Sequence, residues 1–222
     1  MKEITTKNIL HNYFRLADLM IKYSDVKWRD VYSIGQIESK VWLIEELEAL
    51  NVNLGTIFLC GGWYASLANI MFVSQLQFNK IRSFDIDPAC ADIADTLNKD
   101  YVSDKWKFKA ITQDILDINY EYHTWQCWSN VNNRMSKYMA DSPDTIINTS
   151  CEHIENFNKW YNLIPPGKLV VLQSNDYFEL EEHINCVKDI EEFKEQCLLD
   201  KLLYCGAIEL QKYNRFMLIG MT

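Results

Sequence analysis

The sequence predicts an α/β fold: a mostly parallel sheet of seven strands between layers of helix, with helices at the N-terminus and an antiparallel hairpin at the C-terminus. Three observations carry this. From residue 56 onward, short apolar runs bounded by Gly, Asp, Asn or Pro alternate with helical stretches, as buried parallel strands and their crossovers do. Residues 10–47 instead repeat apolar side chains at helical spacing. The last two strand-like runs are joined by only Gln211–Asn214, too short a link for a parallel crossover.

In chain order, Leu10, Tyr13, Phe14, Ala17, Met20 and Ile21 mark a first helix. After a break over Ser24–Tyr32, the residues Ile34, Ile37, Val41, Ile44 and Leu47 mark a second. Five strands follow at Thr56–Cys60, Ile81–Asp85, Lys107–Ile111, Thr145–Asn148 and Leu169–Gln173, and the hairpin strands are Leu202–Leu210 and Arg215–Met221. Leu67, Ile70 and Met71 share one face of the helix after the first strand; Ile93, Ala94 and Leu97 share a face of the next. A chain of 222 residues is expected to form one domain, with residues 1–53 as a helical cap and 54–222 as the core.

Composition narrows the function classes. Lys and Arg total 22 against 31 Asp and Glu, a net charge of −9 with no basic run, so nucleic acid is an unfavourable partner. No stretch approaches the roughly 18–20 apolar residues of a membrane span. The charged N-terminus lacks the apolar block of a secretory signal, and a cytoplasmic protein is expected. The seven cysteines include no CxxC pair, which fits reduced thiols; no metal is expected.

The chemistry gathers at strand ends. Thr56–Cys60 runs into Gly61 and Gly62, where missing side chains let backbone approach a ligand and the following helix offers free N–H groups. Two glycines alone fit a plain tight turn equally well. The next strand ends at Asp85, where a carboxylate can accept hydrogen bonds from ribose hydroxyls. Asp87, followed by Pro88, reads as a helix N-cap.

Phe84-Asp-Ile-Asp-Pro88, placed after a strand–glycine–helix turn, resembles the second motif of class I S-adenosylmethionine-dependent methyltransferases, and the order of segments agrees over residues 55–175. The resemblance implies a three-layer Rossmann-like sandwich with S-adenosylmethionine as cofactor. It assigns cofactor contacts to Cys60, Gly61, Gly62, Trp63, Asp85 and Ile86, to Asp114 and Ile115 near the adenine, and to Asn148 and Ser150 after the fourth strand. Glu152-His153-Ile154, followed by Pro165-Pro-Gly167, is similar to a segment of many small-molecule and protein methyltransferases. Where the acceptor must lose a proton, His153 and then Glu152 are the candidate catalytic bases; the bland alternative for the segment is a helix start capped by Ser150. Two departures stand out. Trp63 and Tyr64 crowd a glycine turn that lacks the usual preceding acid, so they either cover the cofactor or close the site. The Asp/Asn-Pro-Pro-Tyr/Phe signature of nucleic-acid base methylation is absent.

Acceptor contacts are expected from Lys40, which with Gln36 and Ser39 interrupts an apolar helix, and from Asn175 and Tyr177, with His183 nearby. Trp125 is a further candidate, in a cluster with Tyr120, Tyr122, His123 and Trp128; packing of an inserted helix is the plainer explanation of that cluster. The expected function is methyl transfer to a small molecule or a protein or peptide acceptor. The alternatives are cofactor cleavage or aminopropyl transfer in the same pocket, or a non-catalytic cofactor-binding partner protein. A dinucleotide-dependent oxidoreductase is disfavoured by the C-terminal hairpin.

Overall fold

The computed structural model describes residues 6–129 and 133–222. Helices α1 (Thr6–Lys22), α2 (Trp28–Val31) and α3 (Ile34–Leu50) precede β1 (Thr56–Cys60). Then come α4 (Ser66–Val73), β2 (Lys80–Asp85), α5 (Pro88–Leu97), α6 (Lys99–Ser103) and β3 (Phe108–Thr112). Four short strands follow: β4 (His123–Trp125), β5 (Trp128–Ser129), β6 (Arg134–Met135) and β7 (Met139–Asp141). The chain ends with β8 (Thr145–Asn148), α7 (Phe157–Tyr161), β9 (Leu169–Asn175), α8 (Ile190–Gln196), β10 (Lys201–Glu209) and β11 (Asn214–Met221).

The main sheet has seven strands in the order β10-β11-β9-β8-β1-β2-β3. β11 runs antiparallel to both its neighbours, and the other pairings are parallel. The expected hairpin is therefore present, and its turn closes through the Leu210 N–H, which donates to Tyr213 O at 2.9 Å. Every residue of β1 is buried, because alternate side chains feed two cores. Ile57 and Leu59 join Ile81, Ile147, Val171 and Met217 beneath α3 and α4, with Leu43, Leu47 and Met71 packed on them. Phe58 and Cys60 join Phe84, Ile146, Val170 and Leu172 on the opposite face, against Trp160 and Phe193. Helices on both faces are what make a parallel sheet stable in water.

Local signals fix several boundaries. Asp87 caps α5 by accepting from the Ala89 N–H at 2.9 Å, with Pro88 in the first turn. Ser33 caps α3, which ends at Asn51 in the left-handed conformation (φ 50°). The N-terminal face differs from its periodicity. Leu10, Tyr13, Phe14 and Ile21 are exposed, and α1 instead packs Leu19 and Leu16 near Ile93 and Leu97 of α5. On α3, Ile34 and Val41 face solvent, while Leu43, Ile44 and Leu47 enter the core. The break at 24–32 contains the single helical turn α2.

Residues 123–141 overturn the inserted helix. β4 pairs antiparallel with β7, and β5 with β6, because His123-Thr-Trp125 alternates buried, exposed, buried at a strand's period of two. Asp141 anchors this unit: its carboxylate accepts from Arg82 Nε (2.6 Å) and from Trp125 Nε1 (2.9 Å), and it pairs with Lys80. Trp125 is buried with its ring over the Arg82 guanidinium, 4.9 Å from the centroid. Arg82 also donates to Ile81 O and Trp106 O, near the amino ends of β2 and β3. Trp125 is thus a packing residue away from the carboxyl edge, and the expected acceptor contact is corrected. The Trp128 side chain lies outside the described residues.

Candidate functional site

The carboxyl ends of β1, β2, β3, β8 and β9 share one edge, where open α/β sheets bind their ligands. At the end of β1 the chain turns through Gly61 (φ 63°), Trp63 (φ 50°) and Ala65 (φ 52°), all left-handed. Gly62 is required by space, since a Cβ there would collide with Ser83 Oγ. A Cβ on Gly61 would meet nothing nearer than Ser150 Cβ at 3.9 Å and Asn148 Oδ1 at 4.0 Å, so the turn is open toward the end of β8. Cys60 offers only backbone here. Its thiol faces Tyr120 Oη at 3.5 Å, and burial pushes it up to about 12.

Asp85 organises this turn. Its Oδ2 accepts from the Trp63 N–H at 2.7 Å and its Oδ1 from the Asp87 N–H at 3.0 Å, tying the first two strand ends together. The Gly62 N–H adds a bond to Phe84 O at 3.0 Å. Trp63 and Tyr64 stack at 4.7 Å, and Tyr64 continues the ledge to Trp28 of α2 at 5.9 Å. Gly61, Gly62, Trp63 and Tyr64 all remain partly exposed, so the aromatics flank the turn without sealing it. Beside it, Ile86 is exposed and Ile115 is buried. Asp114 is half-buried, and its Oδ1 accepts from the Leu116 N–H at 2.9 Å.

The β8 and β9 ends carry a buried polar network. Asn148 is fully buried; its Oδ1 accepts from the Ser150 N–H at 2.8 Å, and its Nδ2 donates to nothing among the described residues. Ser150 makes no side-chain cap, so the alternative of a capped helix start is replaced by this Asn148 turn. Glu152 Oε1 accepts from Asn175 Nδ2 at 2.7 Å and from Arg215 Nη1 at 3.0 Å, while Arg215 Nη2 donates to Thr149 O. Both charges are buried, so each depends on the other. From α3, Lys40 donates to Gln36 Oε1 at 2.8 Å; burial, then the Arg215 charge, lowers its ammonium to about 7. Gln173 Nε2 donates to Ser39 O at 3.0 Å, fastening α3 over this corner.

Two sequence candidates change role. Glu152 is buried and held by Arg215 and Asn175, which removes it as the base for an exposed acceptor. Asn175 is fully buried, its amide donating to Glu152 and accepting from the Tyr177 N–H (2.9 Å), so it positions neighbours rather than reaching an acceptor. His153 is exposed, and its Nδ1 donates to Glu182 O at 2.9 Å. His183 Nδ1 donates to Tyr177 O at 2.9 Å, the two imidazoles meet edge to face at 4.6 Å, and burial lowers His183 below its ordinary value. Tyr177 stacks on Tyr213 at 5.4 Å. Sequence reasoning missed Tyr213 and Arg215. They stand in the hairpin, and only the insertion of β11 beside β9 brings them to this edge.

Two concavities lie elsewhere, one lined by Val52, Asn53, Asp144 and Lys168 at the amino edge of the sheet, the other between residues 116–121 and 162–166. In the first, Asp144 already accepts from the Thr56 N–H at 2.7 Å. Neither touches the glycine turn.

No family model and no curated protein matches this sequence. Solved structures do. The N-methyltransferase NodS from Bradyrhizobium japonicum WM9, in complex with S-adenosyl-L-homocysteine, superposes with a TM-score of 0.64 at 11% identity, covering 94% of this chain and 98% of that one. Magnesium protoporphyrin IX methyltransferase (ChlM) from Synechocystis PCC 6803 with bound S-adenosylmethionine gives 0.56 at 12%, covering 100% and 99%. Geranyl diphosphate methyltransferase in complex with S-adenosylmethionine gives 0.54 at 9%, covering 83% and 84%. At such identities the likeness establishes a common fold.

Proposed function

We propose that this chain, which has the fold of the class I S-adenosylmethionine-dependent methyltransferases, transfers a methyl group from S-adenosylmethionine to a small-molecule or peptide acceptor. The observation that carries this reading is the left-handed glycine turn stitched to Asp85 and open toward Asn148. Its residues suit the cofactor's chemistry. Gly61 leaves space for a ligand against backbone, and Asn148 Nδ2 is a buried donor still in need of an acceptor, which a carboxylate or hydroxyl of the ligand would supply. Asp85 and Asp114, at successive strand ends, offer acceptors for ribose hydroxyls and an adenine amino group, with Ile86 and Ile115 as apolar walls. Cys60, Gly61, Gly62 and Trp63 would contribute backbone to its binding, and Ser150 its hydroxyl.

When bound, S-adenosylmethionine supplies an electrophilic methyl group on a positively charged sulfur. The chain's task is then to hold an acceptor nucleophile in line with it and to exclude competing water. The Trp63–Tyr64–Trp28 ledge and the Tyr177–Tyr213 stack are suited to flanking that space. Lys40, 5% exposed and bonded to Gln36, braces this corner rather than reaching an acceptor. The acidic surface is consistent with acceptors other than bulk nucleic acid.

The test is calorimetric titration with S-adenosylmethionine, S-adenosylhomocysteine and NAD, on wild type and Asp114→Ala. Micromolar binding of both sulfur nucleosides, weakened tenfold or more (about 1.4 kcal/mol) in the variant and absent for NAD, is expected. Folded wild-type protein that binds neither sulfur nucleoside would overturn the reading.

A further inference from the structure

We propose that Glu152, His153 and His183 form a binding site for a divalent first-row transition cation of the Zn²⁺, Co²⁺ or Mn²⁺ class. The proposal goes beyond methyl transfer, and cation binding does not depend on that reading. One ligand atom from each of the three side chains lies within 4.8 Å of the other two. Ligands about 2.1 Å from a common ion stand about 3–3.5 Å apart, so small side-chain rotations close the set. His153 is exposed, so its ring has room to tilt about its Nδ1 bond to Glu182 O.

The surroundings leave one donor atom open on each side chain. A carbonyl oxygen can only accept, so the bonds of His153 Nδ1 to Glu182 O and of His183 Nδ1 to Tyr177 O place a proton on each Nδ1 and a free lone pair on each Nε2. Backbone carbonyls holding the far nitrogen of an imidazole are the usual outer shell of a metal-bound histidine. Glu152 is 2% exposed, and Oε1 alone receives Asn175 and Arg215; Oε2 is buried with no hydrogen-bond partner among the described residues. Such an oxygen is costly to leave unsatisfied, and a cation would satisfy it. The carboxylate is already fixed in orientation by its Oε1 partners.

Charge argues both ways. Arg215, 3.0 Å from Glu152 Oε1, repels a cation. Against it, the loop that carries His183 also bears Asp176, Glu179, Glu181 and Glu182, in a chain of net charge −9. Two imidazoles and one carboxylate are borderline ligands that suit Zn²⁺, Co²⁺, Mn²⁺ or Fe²⁺ and leave coordination positions open. This departs from the expectation of no metal, which rested on cysteine spacing. The ligands here are not cysteines, and they come from two loops that only the fold brings together.

The experiment uses the full chain, stripped with chelator and titrated with Co²⁺, followed by visible d–d absorption and calorimetry. Wild type, His153→Ala, His183→Ala and the double variant are compared, with folding checked by circular dichroism. Stoichiometric Co²⁺ binding is expected, displaced by Zn²⁺, weakened about tenfold or more in each single variant and lost in the double one. S-adenosylhomocysteine affinity is read in the same samples. Asp114→Ala should keep Co²⁺ and bind the nucleoside at least about tenfold more weakly, so failure of either site is visible apart from the other. No Co²⁺ binding by folded wild type, or unchanged binding in the folded double variant, would overturn the proposal.

Discussion

Lys40 is a cation held 5% exposed near a second buried cation, Arg215, and the outcome is an ammonium lowered from 10.5 to about 7. Below pH 7 the side chain is charged in both folded and unfolded chains, and the fold bears the full cost of burying it. Between pH 7 and 10.5 the unfolded chain binds the extra proton, so stability rises with pH across that window and levels off above it. Lys40→Met should remove that slope and stabilise the protein most at or below pH 7, by about 1–4 kcal/mol. Urea midpoints from pH 6 to 10 check this; a variant less stable at pH 6 would mean that the bond to Gln36 outweighs desolvation. Sequence showed Lys40 as a polar interruption in an apolar helix. Its altered basicity comes first from burial and then from the charge of Arg215, distant in sequence and fixed beside Glu152 by the fold.

At the scale of elements, a buried carboxylate ties the insertion between β3 and β8 to the main sheet. Asp141 is buried and receives Arg82 Nε, Lys80 Nζ and Trp125 Nε1, while Arg82 is itself only 4% exposed. Asp141→Ala leaves the guanidinium in low dielectric without its counter-charge, and a loss of about 3–5 kcal/mol is expected. Replacing both partners, as Asp141→Leu with Arg82→Met, should recover much of that. Urea denaturation of wild type, Asp141→Leu, Arg82→Met and the double variant measures the coupling, and additive losses would show that the pair does not act as a unit. The strand and cap assignments were legible here because they rest on local rules, as with Asp87 before Pro88. The insertion was not: aromatic residues within nine positions suit a packed helix and a small sheet alike, and burial against Arg82 decides between them.

Across the whole molecule, one strand supplies both cores. Phe58 and Leu59 are neighbours in β1 whose side chains enter opposite faces, one toward Trp160 and Phe193, the other toward α3 and α4. Phe58→Ala should cost about 3–5 kcal/mol and Leu59→Ala about 2–5 kcal/mol. If the central strand couples both layers, each should lower the midpoint of a single unfolding transition followed by circular dichroism and tryptophan fluorescence together. A split transition in either variant would mean that the two layers unfold separately.

The sequence by itself determined what short-range chemistry dictates. Short apolar runs bounded by Gly, Asp, Asn or Pro located the seven sheet strands, period-3.6 apolar patterns located the helices before and just after β1 and β2, and a link of four residues required the last two strands to form a hairpin. It also indicated the glycine turn and Asp85, which the structure joins by a 2.7 Å bond. Only the tertiary structure decided that Glu152 is paired with Arg215, that Asn175 holds Glu152, that Trp125 packs on Arg82, and that His153 meets His183. These outcomes depend on contacts between residues far apart in the chain. Burial and the nearest charge set what each group can do, and neither exists until the sheet is assembled.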